Sequence, residues 1–156
     1  MNTLTLHLSH LDHNYNCIRE NINSNTQLVG VVKAEGYGSS SVHFARRLVD
    51  LGVDYLAVAY TEEGQELRNQ GITIPIMVFY PLENSLEALI DSCLEPCLYS
   101  QTILEGFKKI LLQKKITQYP IHIKYNTGLN RLGFHPNQSD WVIHQMENNC
   151  FQLESV

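Results

Sequence analysis

Two stretches of this 156-residue sequence end an apolar run in a lysine and then turn. The first is Val31-Val32-Lys33-Ala34-Glu35-Gly36-Tyr37-Gly38. A lysine at the carboxyl end of a buried strand lies on the face where α/β sheets keep their sites. Apolar surroundings disfavour its charged form, and the neutral amine is a nucleophile for aldehydes. Gly36 and Gly38 would let the turn bend tightly and bring the Tyr37 phenol back over the strand ends. The same residues also fit a lysine that reaches solvent at a strand exit above a glycine-rich turn. The second stretch is Ile121-His122-Ile123-Lys124-Tyr125-Asn126-Thr127-Gly128-Leu129-Asn130-Arg131-Leu132-Gly133-Phe134. Here Arg131 lies between apolar residues, which is costly without an anionic or hydrogen-bonding partner. Its pattern also fits a solvated arginine or a structural ion pair.

Elements must place both lysines on one face. Residues 3 to 8 alternate Thr-Leu-Thr-Leu-His-Leu, the period of a half-buried strand, and Ser9 with Asp12 has the form of a capping box that opens a helix through Leu11, Tyr15, Ile18 and Ile22. Short apolar strands are expected near 28, 55, 74, 94, 119 and 151, the first of them buried on both faces. Helices are expected over 42–51, 61–70 (opened by a Thr61 cap), 82–91, 100–115 and 137–149. Strands alternating with helices pair in parallel, because a parallel connection needs a crossover. No Gly-x-Gly-x-x-Gly follows the first strand, so the barrel reading leads over a doubly wound nucleotide-binding sheet. The expected fold is α/β, an incomplete TIM-type (β/α) barrel of about six parallel strands preceded by a short strand and helix. The last run, Phe151 to Val156, reads as a sixth strand, so residues 1–156 are expected to be part of a longer barrel.

Composition narrows the function. Hydrophobic residues make up 44% and charged residues 17%, which excludes disorder, and a formal charge of −5 without a basic run argues against nucleic acid. No stretch approaches the ~18 apolar residues of a membrane span. Cys17, Cys93, Cys97 and Cys150 read as reduced thiols of a cytoplasmic protein. His7, His10 and His13 are not read as a zinc site, since His7 falls on the expected strand and no converging ligand set is evident. Trp141, Val142 and Met146 read as a helix face against the sheet.

Taken together, the two lysine stretches resemble one family, the alanine racemases that use pyridoxal phosphate. Val-Val-Lys-Ala-x-x-Tyr-Gly at 31–38 is similar to the family's cofactor-lysine motif, and His-Ile-Lys-x-x-Thr-Gly-Leu-x-Arg-Leu-Gly-Phe at 122–134 to its second signature. The Asp54 to Ala59 and Gly71 to Ile76 segments resemble further landmarks, and details such as Ala-Val-Ala-Tyr look most like the racemase half of ligase–racemase fusions. The resemblance implies pyridoxal 5'-phosphate as cofactor, alanine as substrate and D-alanine supply for peptidoglycan as role. It implies that Lys33 holds the cofactor and acts as a base, that Tyr37 hydrogen-bonds its phosphate, and that Arg131 donates to its phenolic oxygen beside the substrate carboxylate. Lys124 matches a lysine that is carbamylated in many members. Ser39-Ser40 and Tyr125-Asn126 depart from the commoner family residues. The resemblance covers less than half of a full racemase and leaves out its C-terminal β-domain with the second base. Racemisation by this chain alone is therefore expected to be impaired. The alternatives are a pyridoxal-phosphate-binding barrel without racemase activity and an inert racemase fragment. Full-length members are homodimers, and an open sheet with its inner face near Val31, Val58 and Val78 in water is expected to self-associate.

Overall fold

The structure, a computed structural model, describes residues 5–156. Six parallel strands stand side by side in the order of the sequence: β1 (Val29–Val31), β2 (Tyr55–Val58), β3 (Ile76–Val78), β4 (Glu95–Leu98), β5 (Tyr119–Ile123) and β6 (Phe151–Ser155). A sheet whose strands keep chain order, with each crossover a helix, is the repeating pattern of a (β/α) barrel. Between the strands run a short left-handed turn, α2 (Lys33–Gly38), and the helices α3 (Ser41–Leu51), α4 (Thr61–Asn69), α5 (Leu86–Asp91), α6 (Gln101–Lys114) and α7 (Ser139–Met146), with α1 (Leu8–Glu20) ahead of β1. The sheet is open, with β1 at one edge and β6 at the other.

Register decides which side chains meet the helices. Gly30, Leu56 and Ile76 are level across β1 to β3, and Val31, Ala57, Met77 and Glu95 are level one residue further on. Successive residues of a strand face opposite ways, so the first set shares the helix-covered face and the second set the inner face. Leu56, Val58, Ile76, Val78, Leu98 and Ile121 pack fully buried under Leu67, Leu89, Leu104 and Phe107. Each such side chain contributes about 1.5–3 kcal/mol by leaving water. Val58 and Val78 thus belong to this core, contrary to the expectation that they line a wet inner face: their register puts them on the helix side. β1 differs as well. Val29 and Val31 are 42% and 40% exposed, because β1 is an edge strand with its inner face open, so it is not buried on both faces.

Three further local expectations are corrected. Residues 3 and 4 lie outside the described residues, residues 5–7 form no strand, and Leu8 already begins α1. The alternating leucines were ambiguous because Leu8, Leu11 and Tyr15 also fall at helical spacing. Ser9 and Asp12 make no capping box: the cap position is His7, and Asp12 instead takes a bidentate pair from Arg47 of α3, at 2.7 and 2.6 Å. Thr61 is the first helical residue of α4, not its cap, and its buried hydroxyl pairs with Ser85 at 2.9 Å. Ser100 does cap α6, accepting from the Ile103 N–H, and Gly52 ends α3 with a left-handed φ of 88°. All four cysteines are free thiols, Cys17 and Cys93 exposed, Cys97 and Cys150 buried. Among the described residues no helix is long and apolar enough to cross a membrane.

Candidate active site

Lys33 follows β1 directly, and its main chain enters an unusual turn. Ala34, Glu35, Gly36 and Tyr37 are all left-handed, with φ between 52° and 61°. Left-handed conformation costs a non-glycine residue about 1–2 kcal/mol, so such a run persists only where neighbours hold it. Gly36 is pinned by its N–H to the Val32 carbonyl at 3.1 Å. Ala34 donates its N–H to Oε1 of Glu63 at 2.7 Å, while Oε2 of the same carboxylate accepts from Ala59 at 2.7 Å and Tyr60 at 3.1 Å. One side chain of α4 therefore joins the exits of β1 and β2.

Lys124 follows β5, its N–H bonded to the Leu98 carbonyl of β4 at 3.0 Å. The chain then loops and returns beside itself: Phe134 N–H donates to the Lys124 carbonyl at 2.8 Å and Asn126 N–H to the Phe134 carbonyl at 2.9 Å. Gly133, at φ 123°, makes this approach possible, since a Cβ there would lie 2.5 Å from the Asn126 nitrogen. The Asn126 side chain closes the loop by accepting from the N–H groups of Gly128 and Asn130. Phe134 is 1% exposed and packs between Tyr125 and Trp141, which anchors the loop carrying Arg131.

These elements bring Lys33, Lys124 and Arg131 around one cavity of ≈ 510 Å³, walled by Ala59, Tyr60, Phe79, Tyr80 and Leu132. Among the described residues none of the three cations has a carboxylate partner within ion-pair distance. A pocket with three cations and an aromatic wall suits a planar anionic molecule, and the strand-exit lysine suits a carbonyl on it. Pyridoxal 5'-phosphate fits that chemistry. Tyr37 stands apart: it is 67% exposed and outside this cavity, because the left-handed turn carries the ring outward instead of back over the strand ends.

Sequence reasoning missed two sets of residues. Tyr60, Tyr80 and Tyr99 form an aromatic ladder at the exits of β2 to β4, with ring centroids 5.6 and 5.3 Å apart; a tyrosine one or two residues beyond each strand was the available signal. Burial pushes the Tyr99 phenol up to about 12, with Tyr80 adding to it. Deeper on the inner face lies a buried polar cluster. His122 of β5 meets Glu95 of β4 at 3.1 Å through Nε2 and Ser155 of β6 at 2.7 Å through Nδ1, with Tyr55 of β2 against its ring. Burial and then the Glu95 charge push the Tyr55 phenol up to about 12. Glu95 could have been suspected, as a carboxylate in an otherwise apolar strand. Cys97, level with His122 on β5, has its thiol pushed up to about 12 by burial, opposed by the nearby Lys124 charge.

Comparison with known proteins places the chain among relatives. The family model described as alanine racemase, N-terminal domain, matches residues 6–156. The alanine racemase of Methanococcus maripaludis is 39% identical over 133 residues, covering 85% of this chain and 35% of that protein. The alanine racemase of Thermodesulfovibrio yellowstonii is 33% identical over 148 residues, covering 92% of this chain and 40% of that protein. Among solved structures, alanine racemase from Clostridium difficile superposes with a TM-score of 0.89 at 32% identity, over 94% of this chain and 39% of that one. The chain thus spans well under half the length of the proteins it matches.

Proposed function

Because the chain belongs to the alanine racemase family, we propose that it forms the cofactor-holding part of an enzyme that interconverts L- and D-alanine with pyridoxal 5'-phosphate. The observation that carries this reading is the convergence of Lys33, Lys124 and Arg131 on one cavity without a carboxylate among them. When bound, the cofactor supplies an electron sink that makes the α-hydrogen of an amino acid acidic. Lys33 would hold the cofactor through its carbonyl carbon, and once the amino acid's own amine takes that place, the freed Lys33 amine would be positioned to take the α-proton on one face and return it there. Arg131 would donate to the phenolic oxygen of the cofactor and lie near the alanine carboxylate. Lys124 orients Arg131, in the carbamylated form that follows when its neutral amine adds carbon dioxide and releases a proton. Tyr37 would be the group that hydrogen-bonds the cofactor's phosphate.

By this reading residues 1–156 are a partial N-terminal barrel domain, working in the cytoplasm on D-alanine supply for peptidoglycan, and the molecule self-associates. A lone base exchanges a proton on one face, whereas inversion needs a base on each, a contribution of ~10²- to 10⁴-fold. The test is to incubate the chain with pyridoxal phosphate and L-alanine in deuterium oxide, following loss of the α-hydrogen by NMR and D-alanine by chiral chromatography. Exchange that outruns racemisation and vanishes in Lys33→Ala is expected. Exchange undiminished in Lys33→Ala contradicts the assignment, and cofactor binding without any exchange favours the non-racemising alternative.

A further inference from the structure

We propose that Glu63 is a positioning residue for Lys33, acting as a clamp between the exits of β1 and β2. Resting on the cofactor reading above, the inference concerns what aims the lysine rather than what the lysine does.

Three observations converge on Glu63. Its two carboxylate oxygens accept three main-chain N–H groups, from Ala34, Ala59 and Tyr60, at 2.7, 2.7 and 3.1 Å. Ala34 is the residue immediately after Lys33 and lies 29 positions from Glu63 in sequence, so this is a tertiary contact and not a helix cap alone. Ala34 is also the first of four consecutive left-handed residues, the conformation that fixes where the chain goes after the lysine. Ala59 and Tyr60 belong to the cavity wall beside Lys33. The carboxylate thus ties the lysine's own peptide to the wall it faces. Hydrogen bonds to an ionised acceptor are shorter and stronger than neutral ones, and 2.7 Å is in their range. Without the Ala34 contact the strained turn is free to relax toward right-handed backbone, and Lys33 turns with it.

Glu63→Gln keeps the side chain's volume but offers one acceptor oxygen, with an NH₂ facing a remaining N–H donor. It cannot satisfy both strand exits at once. Glu63→Asp keeps the charge but is one methylene shorter, and serves if the first variant fails to fold. Glu62→Gln, an exposed neighbour in the same turn of α4, controls for the loss of charge at the helix start.

The experiment has two arms, both run well below the unfolding midpoints. In one, pyridoxal phosphate is added, reduced onto the protein with borohydride, and the modified lysines are mapped by mass spectrometry. The expected result is that Lys33's share of the label relative to Lys124 falls about tenfold in Glu63→Gln and stays put in Glu62→Gln, as loss of a charge-assisted bond implies. In the other, lysines carry ¹³C-methyl groups and are followed by NMR without cofactor. The Lys33 signal is expected to shift in Glu63→Gln while that of Lys115 holds. A purely stabilising Glu63 would lower the unfolding midpoint and leave the labelling ratio and the Lys33 signal unchanged, which overturns the proposal. If the parent chain takes no label at Lys33, the cofactor reading fails, and the NMR arm still decides the clamp.

Discussion

Replacing Gly133 by alanine tests how the Arg131 loop is held against β5. Two costs follow from its geometry. At φ 123° an L-residue is strained, worth about 1–2 kcal/mol, and the added Cβ would meet main-chain atoms of Tyr125 and Asn126 at 2.5 Å. Backbone cannot move aside as a flexible side-chain tip does, so the loop must peel off. It then breaks the Phe134 to Lys124 and Asn126 to Phe134 bonds. At ~0.5–1.5 kcal/mol each these add about 1–3 kcal/mol, for a total of ~2–5 kcal/mol. Gly128 is the internal control: its φ is 129°, but a Cβ there meets nothing within 4 Å, so Gly128→Ala carries only the conformational term. Urea unfolding of both variants gives the global difference, and hydrogen exchange at the Asn126 and Phe134 amides detects local opening. Gly133→Ala should be the worse by about 1–3 kcal/mol in one measurement or the other. Equal stability together with unchanged protection of both amides would refute the close-approach argument.

The remaining predictions concern the frame around the site. Arg47 holds the Asp12 carboxyl below its ordinary value, mainly through their hydrogen bonds. The pair joining α1 to α3 therefore contributes fully above the unfolded carboxyl pKa near ~4 and is lost as pH falls through the lower folded value. The difference in unfolding midpoint between the parent and Asp12→Asn should be constant near neutrality and shrink in acid; a difference independent of pH would contradict the pairing. Glu95→Ala should cost about 1–3 kcal/mol in urea unfolding by leaving the buried His122 nitrogen without its partner, and an unchanged midpoint would show the cluster to be dispensable. Of the four thiols, Cys17 and Cys93 should react with a disulfide reagent in the folded protein while Cys97 and Cys150 react only after unfolding. Rapid reaction of Cys97 near neutral pH would contradict both its burial and its raised pKa.

What was legible in the sequence followed from periodicity and punctuation. Runs such as Tyr55 to Val58 and Ile76 to Val78 are short, apolar and bounded by helix signals, so their strand identity and parallel order could be read directly. The helix stops at Gly52 and Gly71 were equally plain, since both glycines take a left-handed φ. Residues 5–8 were not, because Leu6 and Leu8 satisfy a strand and a helix face alike, and only tertiary packing chooses. Lys33 and Lys124 could be nominated because each ends an apolar run at a strand exit, and Arg131 because it stands between apolar residues in the loop beyond; the fold does bring the three together. Glu63 could not: its role lies in a contact to Ala34 across 29 residues, and in sequence it is one glutamate among several on an exposed-looking helix. The outward course of Tyr37 was equally hidden, since glycines at 36 and 38 permit a turn without dictating its hand.

Everything proposed for this cavity depends on Lys33 being the residue that carries the cofactor. The most direct measurement is borohydride reduction of the chain after incubation with pyridoxal 5'-phosphate, followed by proteolysis and mass mapping of every modified lysine, in the parent and in Lys33→Ala. One dominant phosphopyridoxyl lysine is expected at position 33, with the variant taking only scattered low-level label. Dominant label at Lys124 or at a surface lysine, or equal label in parent and variant, would contradict it.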